Sequence, residues 1–184
     1  MSDRLCVASY GEDVSWVAET GMEACVYDAT RKREGLIPVP NEAREASQYL
    51  RHIVEHYGKF RDYELFLQGN PFDHNPRILQ WLSIRNWEGK ICYSLGRGTI
   101  PCDPSLMLPH AEKLMPFSRD VGLKPAHFRP WSVGAMYAVS RESLESWPLE
   151  WWQSLLRKSV VERAWSPWVL ERLWTSIFHA HHHV

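Results

Sequence analysis

Residues 66–74 read FLQGNPFDH, and this stretch decides the fold class. An apolar run that begins at Tyr63 stops at Gln68, and a glycine, an amide, a proline, an acid and a histidine follow it. The run has the length and the apolar character of a buried strand, whereas Gly, Asn and Pro together predict a turn. The polar side chains therefore lie where a strand ends, which is the edge at which α/β sheets leave a crevice for ligands.

Strand-like and helix-like segments alternate on both sides of this stretch. Apolar runs predict strands at residues 5–10, 24–28, 63–67, 90–96 and 132–140. Caps and periodic apolar positions predict helices at residues 13–19, 41–58, 75–87, 140–146 and 166–177, and prolines predict loops at 31–40 and 97–131. This alternation predicts an α/β protein with an at least partly parallel sheet.

The composition is that of an ordinary globular domain. The chain has 184 residues, 45% of them hydrophobic and 23% charged, with a formal net charge of -1. This balance predicts one domain over residues 1–178 and no general binding to nucleic acid, which needs a basic surface. No apolar run approaches the roughly 20 residues that cross a bilayer, and we expect no signal peptide. Four cysteines without a CxxC pair predict free thiols in a reducing cytoplasm.

Two histidine-rich segments raise the question of a metal. The sequence HIVEH matches the H-x-x-E-H pattern of inverted zinc peptidases, with His52 and His56 as ligands and Glu55 as the base. The apolar stripe of this helix centres near Leu50 and Ile53, however, so we expect the three residues on the opposite, solvated side. The last six residues, 179–184, read HAHHHV; we expect a disordered tail there and give it no functional weight.

Several polar residues stand out as candidates for a site. Asn41 is a good cap for the helix that follows it, but Arg44 in the first turn opposes the helix dipole, and an anion bound there would explain it. Gly134 inside an apolar run indicates close approach of a ligand or of another backbone. Glu171 lies beside the apolar stripe of the last helix, at the rim of a pocket or simply at the surface.

The motifs, taken together, resemble those of a known family. VASYGEDVSWV, VPNEAREASQYLRHIVEHY, LFLQGNPFDH, GAMYAVSRESL and LERLWTSIF occur in the order seen in the DUF3431 family. This family is uncharacterised and is similar to glycosyltransferases of the GT-A type. The resemblance implies a Rossmann-like α/β/α sandwich with a mostly parallel central sheet.

The same resemblance implies an activity and a partner. We expect a glycosyltransferase-like enzyme that moves a sugar from a nucleotide-activated donor to a hydroxyl acceptor. At 184 residues the chain is short for such an enzyme, so the acceptor part is either reduced or completed by a partner or a second copy. The alternative is a non-catalytic domain that binds a sugar or a nucleotide. A zinc hydrolase that uses His52, Glu55 and His56 is a third hypothesis.

Roles for individual residues follow from the resemblance. Substrate-binding roles are implied for Tyr10, Glu12, Asp28, Asn41, Arg44, Gln68, Asn70 and Gly134. Asp73 and Glu171 are the candidate catalytic bases, and Trp131, Trp147, Trp151 and Trp152 are candidates for stacking on a sugar. Asp73 with His74 would hold Mn²⁺ or Mg²⁺, but the Asp-x-Asp pair of GT-A enzymes is replaced here by QGNPFDH, which puts metal dependence in doubt.

Overall fold

The structure is a computed structural model that describes residues 2–106 and 108–181. These residues form a mixed α/β fold with one six-stranded sheet and a separate two-stranded one. The strands are β1 (Asp3–Ser9), β2 (Glu23–Asp28), β3 (Ile37–Pro38), β4 (Tyr63–Gln68), β5 (Cys92–Ser94), β6 (Thr99–Ile100), β7 (Trp131–Ser132) and β8 (Tyr137–Ser140). The α-helices are α1 (Trp16–Glu19), α2 (Arg44–His56), α3 (Ile78–Ile84), α4 (Ala111–Asp120), α5 (Arg141–Glu145), α6 (Leu149–Val161) and α7 (Ser166–His179).

The main sheet has the strand order β3-β2-β1-β4-β8-β5 and is mostly parallel. Strands β1 to β4 run parallel to one another, and β8 is antiparallel to both β4 and β5. The chain moves outward from β1 through β2 to β3 and then returns to place β4 on the other side of β1. The order therefore reverses between β1 and β4, and such a reversal leaves a crevice at the carboxyl ends of the two strands.

Alternating side chains of β1 separate two cores, one on each face of the sheet. Leu5 and Val7 pack in the core that includes residues of α1 and α3, whereas Cys6 and Ala8 pack in the larger core with residues of α2, α5, α6 and α7. Helices thus cover both faces, as expected for a sheet whose central strands read as continuous apolar runs. None of the helices in the described ranges is long and apolar enough to cross a membrane.

Several predicted elements differ from the structure. The predicted loop at 97–131 contains α4, with Pro116 inside it, and the short strands β6 and β7 begin and end it. The predicted strand at 132–140 is interrupted, because Gly134 and Ala135 adopt φ of +83° and +51°, which no strand allows. Helix α6 was not predicted, and the predicted loop at 31–40 contains the two-residue strand β3.

The helix ends also differ in detail from the predictions. The residue that caps α2 is Ala43 rather than Asn41, and Ser166 is the first residue of α7 rather than its cap. Ser140 does cap α5, since its hydroxyl accepts a hydrogen bond from the Ser143 N–H. The expected tail at 179–184 is described only in its first part, where His179 is the last residue of α7 and the His181 ring lies 4.3 Å from the Trp147 ring. Residues 182–184 lie outside the described residues.

Candidate functional site

A cavity of about 570 Å³ opens at the carboxyl ends of β1 and β4. Ala8 and Gln68 face each other in the parallel register of these strands, and both line the cavity. The cavity therefore lies where the strand order reverses, which is the usual position of a ligand in an open α/β sheet. Its lining consists of Ala8, Tyr10, Glu12, Asn41, Arg44, Glu45, Gln68, His74, Gly134 and Glu171.

Gly134 holds three parts of the chain together at the cavity wall. The Gln68 side-chain amide donates to the Gly134 carbonyl at 2.8 Å, and the Gly134 N–H donates to the Glu171 carboxylate at 3.1 Å. A Cβ at position 134 would lie only 2.4 Å from the ring of His74. The glycine is thus required twice, once by its φ of +83° and once by the close approach of His74.

Two carboxylates in the cavity have raised pKa values. Burial raises the pKa of Glu45 to about 7, and the negative charge of Glu171 acts in the same direction. Burial also raises the pKa of Glu171, although the Gly134 N–H and the positive charge of Arg44 oppose that effect. Carboxyl groups with pKa values moved toward neutrality are suited to proton transfer at physiological pH.

Glu12 is the third carboxylate of the cavity, and its side chain is fixed at the end of β1. One of its oxygens accepts hydrogen bonds from the Ser9 hydroxyl at 2.9 Å and from the Tyr10 N–H at 2.6 Å. A Cβ on Gly69 would lie 2.5 Å from the same oxygen, so the loop after β4 passes directly against Glu12. The glycine of the QGN sequence is therefore needed for the ends of β1 and β4 to meet.

Arg44 brings a positive charge to the mouth of the cavity. Its guanidinium lies 4.9 Å from the centre of the Trp168 ring, a cation–π distance, and the ring of His110 packs against the same tryptophan at 5.2 Å. Arg44 has a φ of +49° although it is not glycine. Backbone strain of this kind is concentrated at functional sites.

Most of the residues predicted from the sequence meet in this cavity. Those brought together are Tyr10, Glu12, Asn41, Arg44, Gln68, His74, Gly134 and Glu171. The three that the structure leaves outside the cavity lining are Asp28, Asn70 and Asp73. Glu45 was missed, because an acid in the first turn of a helix is already explained by the helix dipole.

Asp28 has a structural role that explains its position outside the cavity. Its buried carboxylate accepts hydrogen bonds from the Thr30 hydroxyl, from the backbone N–H groups of Lys32 and Arg33 and from the Arg33 guanidinium. Burial alone acts to raise the pKa of Asp28, but the hydrogen bonds from Arg33 and Thr30 outweigh it and hold this pKa well below its ordinary value. The side chain thus orders the loop after β2 and has no oxygen directed to the cavity.

The side chains of the adjacent residues Asp73 and His74, in the turn after β4, lie on different sides of the chain. Residues Pro71–Asp73 form a short 3-10 helix, in which successive side chains point in different directions. The His74 ring faces the cavity, whereas Asp73 is exposed, and Asn70 lines a neighbouring cavity of about 530 Å³ that also contacts Glu12. Within residues 2–106 and 108–181, no group of three or more potential metal ligands includes Asp73 or His74.

The predicted sugar-stacking tryptophans belong to the core. Trp131, Trp147 and Trp152 are buried, and the indole N–H groups of Trp147 and Trp152 donate to the backbone carbonyls of Ile177 and Leu144. Trp151 stacks on Trp147 at 3.9 Å. The ring of Trp168, which no sequence pattern separates from the other tryptophans, packs against Arg44 of the cavity lining.

The prediction that His52, Glu55 and His56 lie on a solvated face of α2 is wrong for His52. His52 is 0% exposed, and its ring lies between the Tyr27 hydroxyl, 3.1 Å from Nδ1, and the Glu64 carboxylate, 2.8 Å from Nε2. His52 is buried because α2 packs on the sheet and also against α6 and α7, so the buried surface of α2 is wider than one apolar stripe. Glu55 is exposed and His56 is half-buried, at the opposite end of α2 from the cavity.

A comparison with protein families identifies part of the chain. Residues 5–85 match the model of DUF3431, which is described as a protein of unknown function. The predicted resemblance is thereby confirmed for this segment. No curated protein and no solved structure gives a significant match.

The DUF3431 segment contains most of the cavity. It includes β1 from Leu5 onward, strands β2 to β4 and helix α2, and with them every lining residue from Ala8 to His74. Gly134 and Glu171 lie outside the matched range, and the motifs GAMYAVSRESL and LERLWTSIF lie there too. The cavity therefore joins the DUF3431 segment to the carboxyl-terminal part of the chain through the hydrogen bonds of Gly134.

Proposed function

We propose that this protein is a glycosyltransferase that transfers a sugar from a nucleotide-activated donor to a hydroxyl acceptor. The observation that carries the proposal is the meeting of Tyr10, Arg44, Gln68 and Glu171 in one cavity at the ends of β1 and β4. The side chains offer amide and carboxylate groups for sugar hydroxyls and a cation for a phosphate. This combination suits a ligand that is both a polyol and an anion.

Arg44 is proposed to bind the diphosphate of the donor. It is the first residue of α2, where the free backbone N–H groups and the positive end of the helix dipole also favour an anion. The guanidinium would stabilise the negative charge that develops on the leaving diphosphate. Binding of a phosphate would also explain why the cation Arg44 lies in the first turn of α2, a position that the helix dipole alone disfavours.

Glu171 is proposed to act as the general base. The Gly134 N–H orients one of its carboxylate oxygens, and the other is free to accept the proton of the acceptor hydroxyl. The acceptor oxygen forms a bond to the anomeric carbon, the bond from that carbon to the diphosphate oxygen breaks, and its electron pair leaves with the nucleoside diphosphate. The proton remains on Glu171 until solvent removes it.

Glu45 is suited to a different role from that of Glu171. With a pKa of about 7, it is protonated in roughly half of the molecules at neutral pH and then donates a hydrogen bond to a sugar hydroxyl. Glu171 is instead assigned the role of base because the Gly134 N–H orients its carboxylate.

The residues of the cavity do not form a preassembled site for Mn²⁺ or Mg²⁺. Glu12 is held by Ser9 and Tyr10, and Glu171 is held by Gly134. Mg²⁺ in phosphate sites often relies on one or two carboxylates and the phosphates of the substrate. The reaction proposed above therefore assigns the diphosphate charge to Arg44, and the assay below is run with and without Mn²⁺.

The test is the release of nucleoside diphosphate from a panel of sugar nucleotides, with water and simple polyols as acceptors. Replacing Glu171 by Gln keeps an acceptor for the Gly134 N–H but removes the base, so we expect turnover to fall about 10²- to 10⁴-fold. Asp73→Asn is the matched control, because Asp73 is exposed and outside the cavity, and it should leave turnover unchanged.

The outcomes separate the two hypotheses. Saturable binding of a sugar nucleotide without any release of diphosphate would support a non-catalytic binding domain instead of an enzyme. Loss of turnover in Asp73→Asn with normal turnover in Glu171→Gln would contradict the assignment of the base.

A further inference from the structure

A second group of side chains, outside the cavity, has the arrangement of a metal site. Cys25 on β2 and His52 and His56 on α2 present three ligand atoms that all lie within 4.8 Å of one another. The two histidines are four residues apart and therefore lie one above the other on the same face of the helix. Their rings are 4.3 Å apart.

The hydrogen bonds that the two histidines donate leave one ring nitrogen of each with a lone pair. His52 Nε2 lies 2.8 Å from the Glu64 carboxylate, which can only accept, so the proton is on Nε2 and Nδ1 has the lone pair. His56 Nδ1 lies 3.0 Å from the His52 carbonyl oxygen, which also only accepts, so the lone pair of His56 is on Nε2. That Nε2 faces the Cys25 sulfur at 3.9 Å.

The outer partners of the histidines are those that metal sites use. The ligand His52 donates its second ring N–H to the Glu64 carboxylate, and Glu64 is itself fixed by two hydrogen bonds from Arg4. Metal-ligating histidines usually donate their other N–H to a carboxylate or a backbone carbonyl, which fixes the tautomer and the ring orientation. Both kinds of partner are present here, one for each ring.

The cluster also has more hydrogen-bond acceptors than donors. The Tyr27 hydroxyl lies 3.1 Å from His52 Nδ1 and 3.1 Å from the Glu55 carboxylate, but it has a single proton for the two. The Cys25 thiol is a further donor, and it faces His56. A cation between the three ligand atoms would satisfy the lone pair of His52 and leave the Tyr27 proton for Glu55.

Access to the cluster is open from one side. Strand β3 pairs with β2 only at Tyr27 and Asp28, so the edge of β2 at Cys25 is not covered by a neighbouring strand. Cys25 and His56 are half-buried and Glu55 is exposed. A metal ion held by the three ligands would thus have a fourth position available to Glu55 or to water.

We propose that Cys25, His52 and His56 form a binding site for Zn²⁺ at the edge of the sheet, separate from the cavity. One thiolate and two imidazoles suit Zn²⁺, and three protein ligands with an open fourth position are a common zinc arrangement. Binding removes the proton of the Cys25 thiol to solvent and forms a zinc–sulfur bond. The site joins β2 to the carboxyl-terminal turn of α2. The other end of α2 lies at the cavity, about 16 Å away for a helical rise of 1.5 Å per residue.

The test is a Zn²⁺ titration against a chelator of known affinity, with Co²⁺ as a spectroscopic probe. It is performed on a parent chain in which His181, His182 and His183 are replaced by Asn, because the terminal histidines would bind metal themselves. We expect one equivalent of Zn²⁺, and a cobalt-to-sulfur charge-transfer band that Cys25→Ser abolishes. His56→Gln should weaken Zn²⁺ binding at least about tenfold.

The matched control is Cys102→Ser, which replaces another half-buried free thiol that is not part of the cluster. It should retain the stoichiometry, the charge-transfer band and the rise in Tm that Zn²⁺ causes in the parent. The Tm without metal shows that each variant is folded. A parent that binds no Zn²⁺, or a Cys25→Ser variant that binds it as tightly as the parent, would overturn the proposal.

Discussion

Gly134 shows how one residue determines the geometry of the cavity. Its carbonyl binds Gln68, its N–H binds Glu171, and its missing side chain leaves room for the ring of His74. A Gly134→Ala change should therefore cost both backbone strain, at about 1–3 kcal/mol, and overpacking, at about 1–3 kcal/mol. For a chain of this size each kcal/mol lowers Tm by about 2–4 °C, which thermal unfolding measures.

Gly122 provides the control for that change. Its φ of +82° is nearly the same as the +83° of Gly134, but a Cβ added to Gly122 meets nothing within 4 Å. Gly122→Ala thus carries the backbone strain alone, and Tm should fall less than in Gly134→Ala. Equal losses of Tm would show that the contact with His74 is unimportant.

The raised pKa of Glu45 predicts how the stability of the protein depends on pH. Because burial raises the pKa of Glu45 to about 7 from an ordinary value of 4.5, the folded state holds a proton that the unfolded state has lost between these values. The contribution of Glu45 to stability is therefore fully present below about pH 4.5 and is lost as pH rises through about 7. We expect Glu45→Gln to raise Tm at pH 8 relative to the parent, with a smaller difference at pH 5.

The measurement at pH 5 is the control for the measurement at pH 8, because an effect of the substitution on packing alone would change Tm equally at both pH values. A Tm difference between parent and Glu45→Gln that is the same at pH 5 and pH 8 would contradict the raised pKa.

At the scale of elements, a buried charge network joins β1, β4 and α2. The Glu64 carboxylate is 0% exposed and accepts hydrogen bonds from both Arg4 and His52. Burial acts to raise the pKa of Glu64, but the hydrogen bonds from His52 and Arg4 outweigh it and lower that pKa. Its contribution to stability is accordingly present above the ordinary carboxyl range and is lost as pH falls through the lowered pKa.

Glu64→Gln should be strongly destabilising, because it removes the closer and fully buried charged partner of Arg4 and leaves its guanidinium only the 3.5 Å contact with the half-exposed Glu23. We expect a loss of about 3–5 kcal/mol in the free energy of unfolding, measured by urea denaturation. Asp120→Asn removes an exposed partner of Lys158 and should cost about 0–1 kcal/mol. A similar, small loss for both variants would show that the Glu64 network does not stabilise the packing of these elements.

The sequence predicts strands better than helix surfaces, for physical reasons. The runs at residues 5–10, 24–28 and 63–67 became β1, β2 and β4 because continuous apolar segments suit a sheet buried on both faces. The buried side of His52 was wrongly assigned, since periodicity shows one apolar stripe, whereas α2 is covered from two directions. Helix α4 was missed because Pro116 and the prolines around it obscure the helical pattern.

At the scale of the molecule, the position of the cavity follows from chain order. Residues far apart in sequence, from Tyr10 to Glu171, meet because strand ends of a parallel sheet share one edge and α7 packs beside it. The sequence predicted eight of the ten lining residues, those at strand ends such as Tyr10, Glu12 and Gln68 through that rule and the others from local features and the family resemblance. It also predicted Asp28 and Asp73, but the Asp28 carboxylate binds the loop after β2 and Asp73 is exposed at the surface. These two were wrongly placed because an acid at a strand end gives the same sequence pattern whichever way its side chain points.

The most direct test of the central claim is calorimetric titration with a panel of nucleoside diphosphates, using Arg44→Gln and Arg157→Gln. Arg157 is exposed on α6, away from the residues that line the cavity. If the cavity holds the diphosphate of the donor, one member of the panel binds saturably, Arg44→Gln weakens its binding at least about tenfold, and Arg157→Gln leaves it unchanged. Binding that is equally strong in Arg44→Gln, or no binding by any member of the panel, would contradict the account.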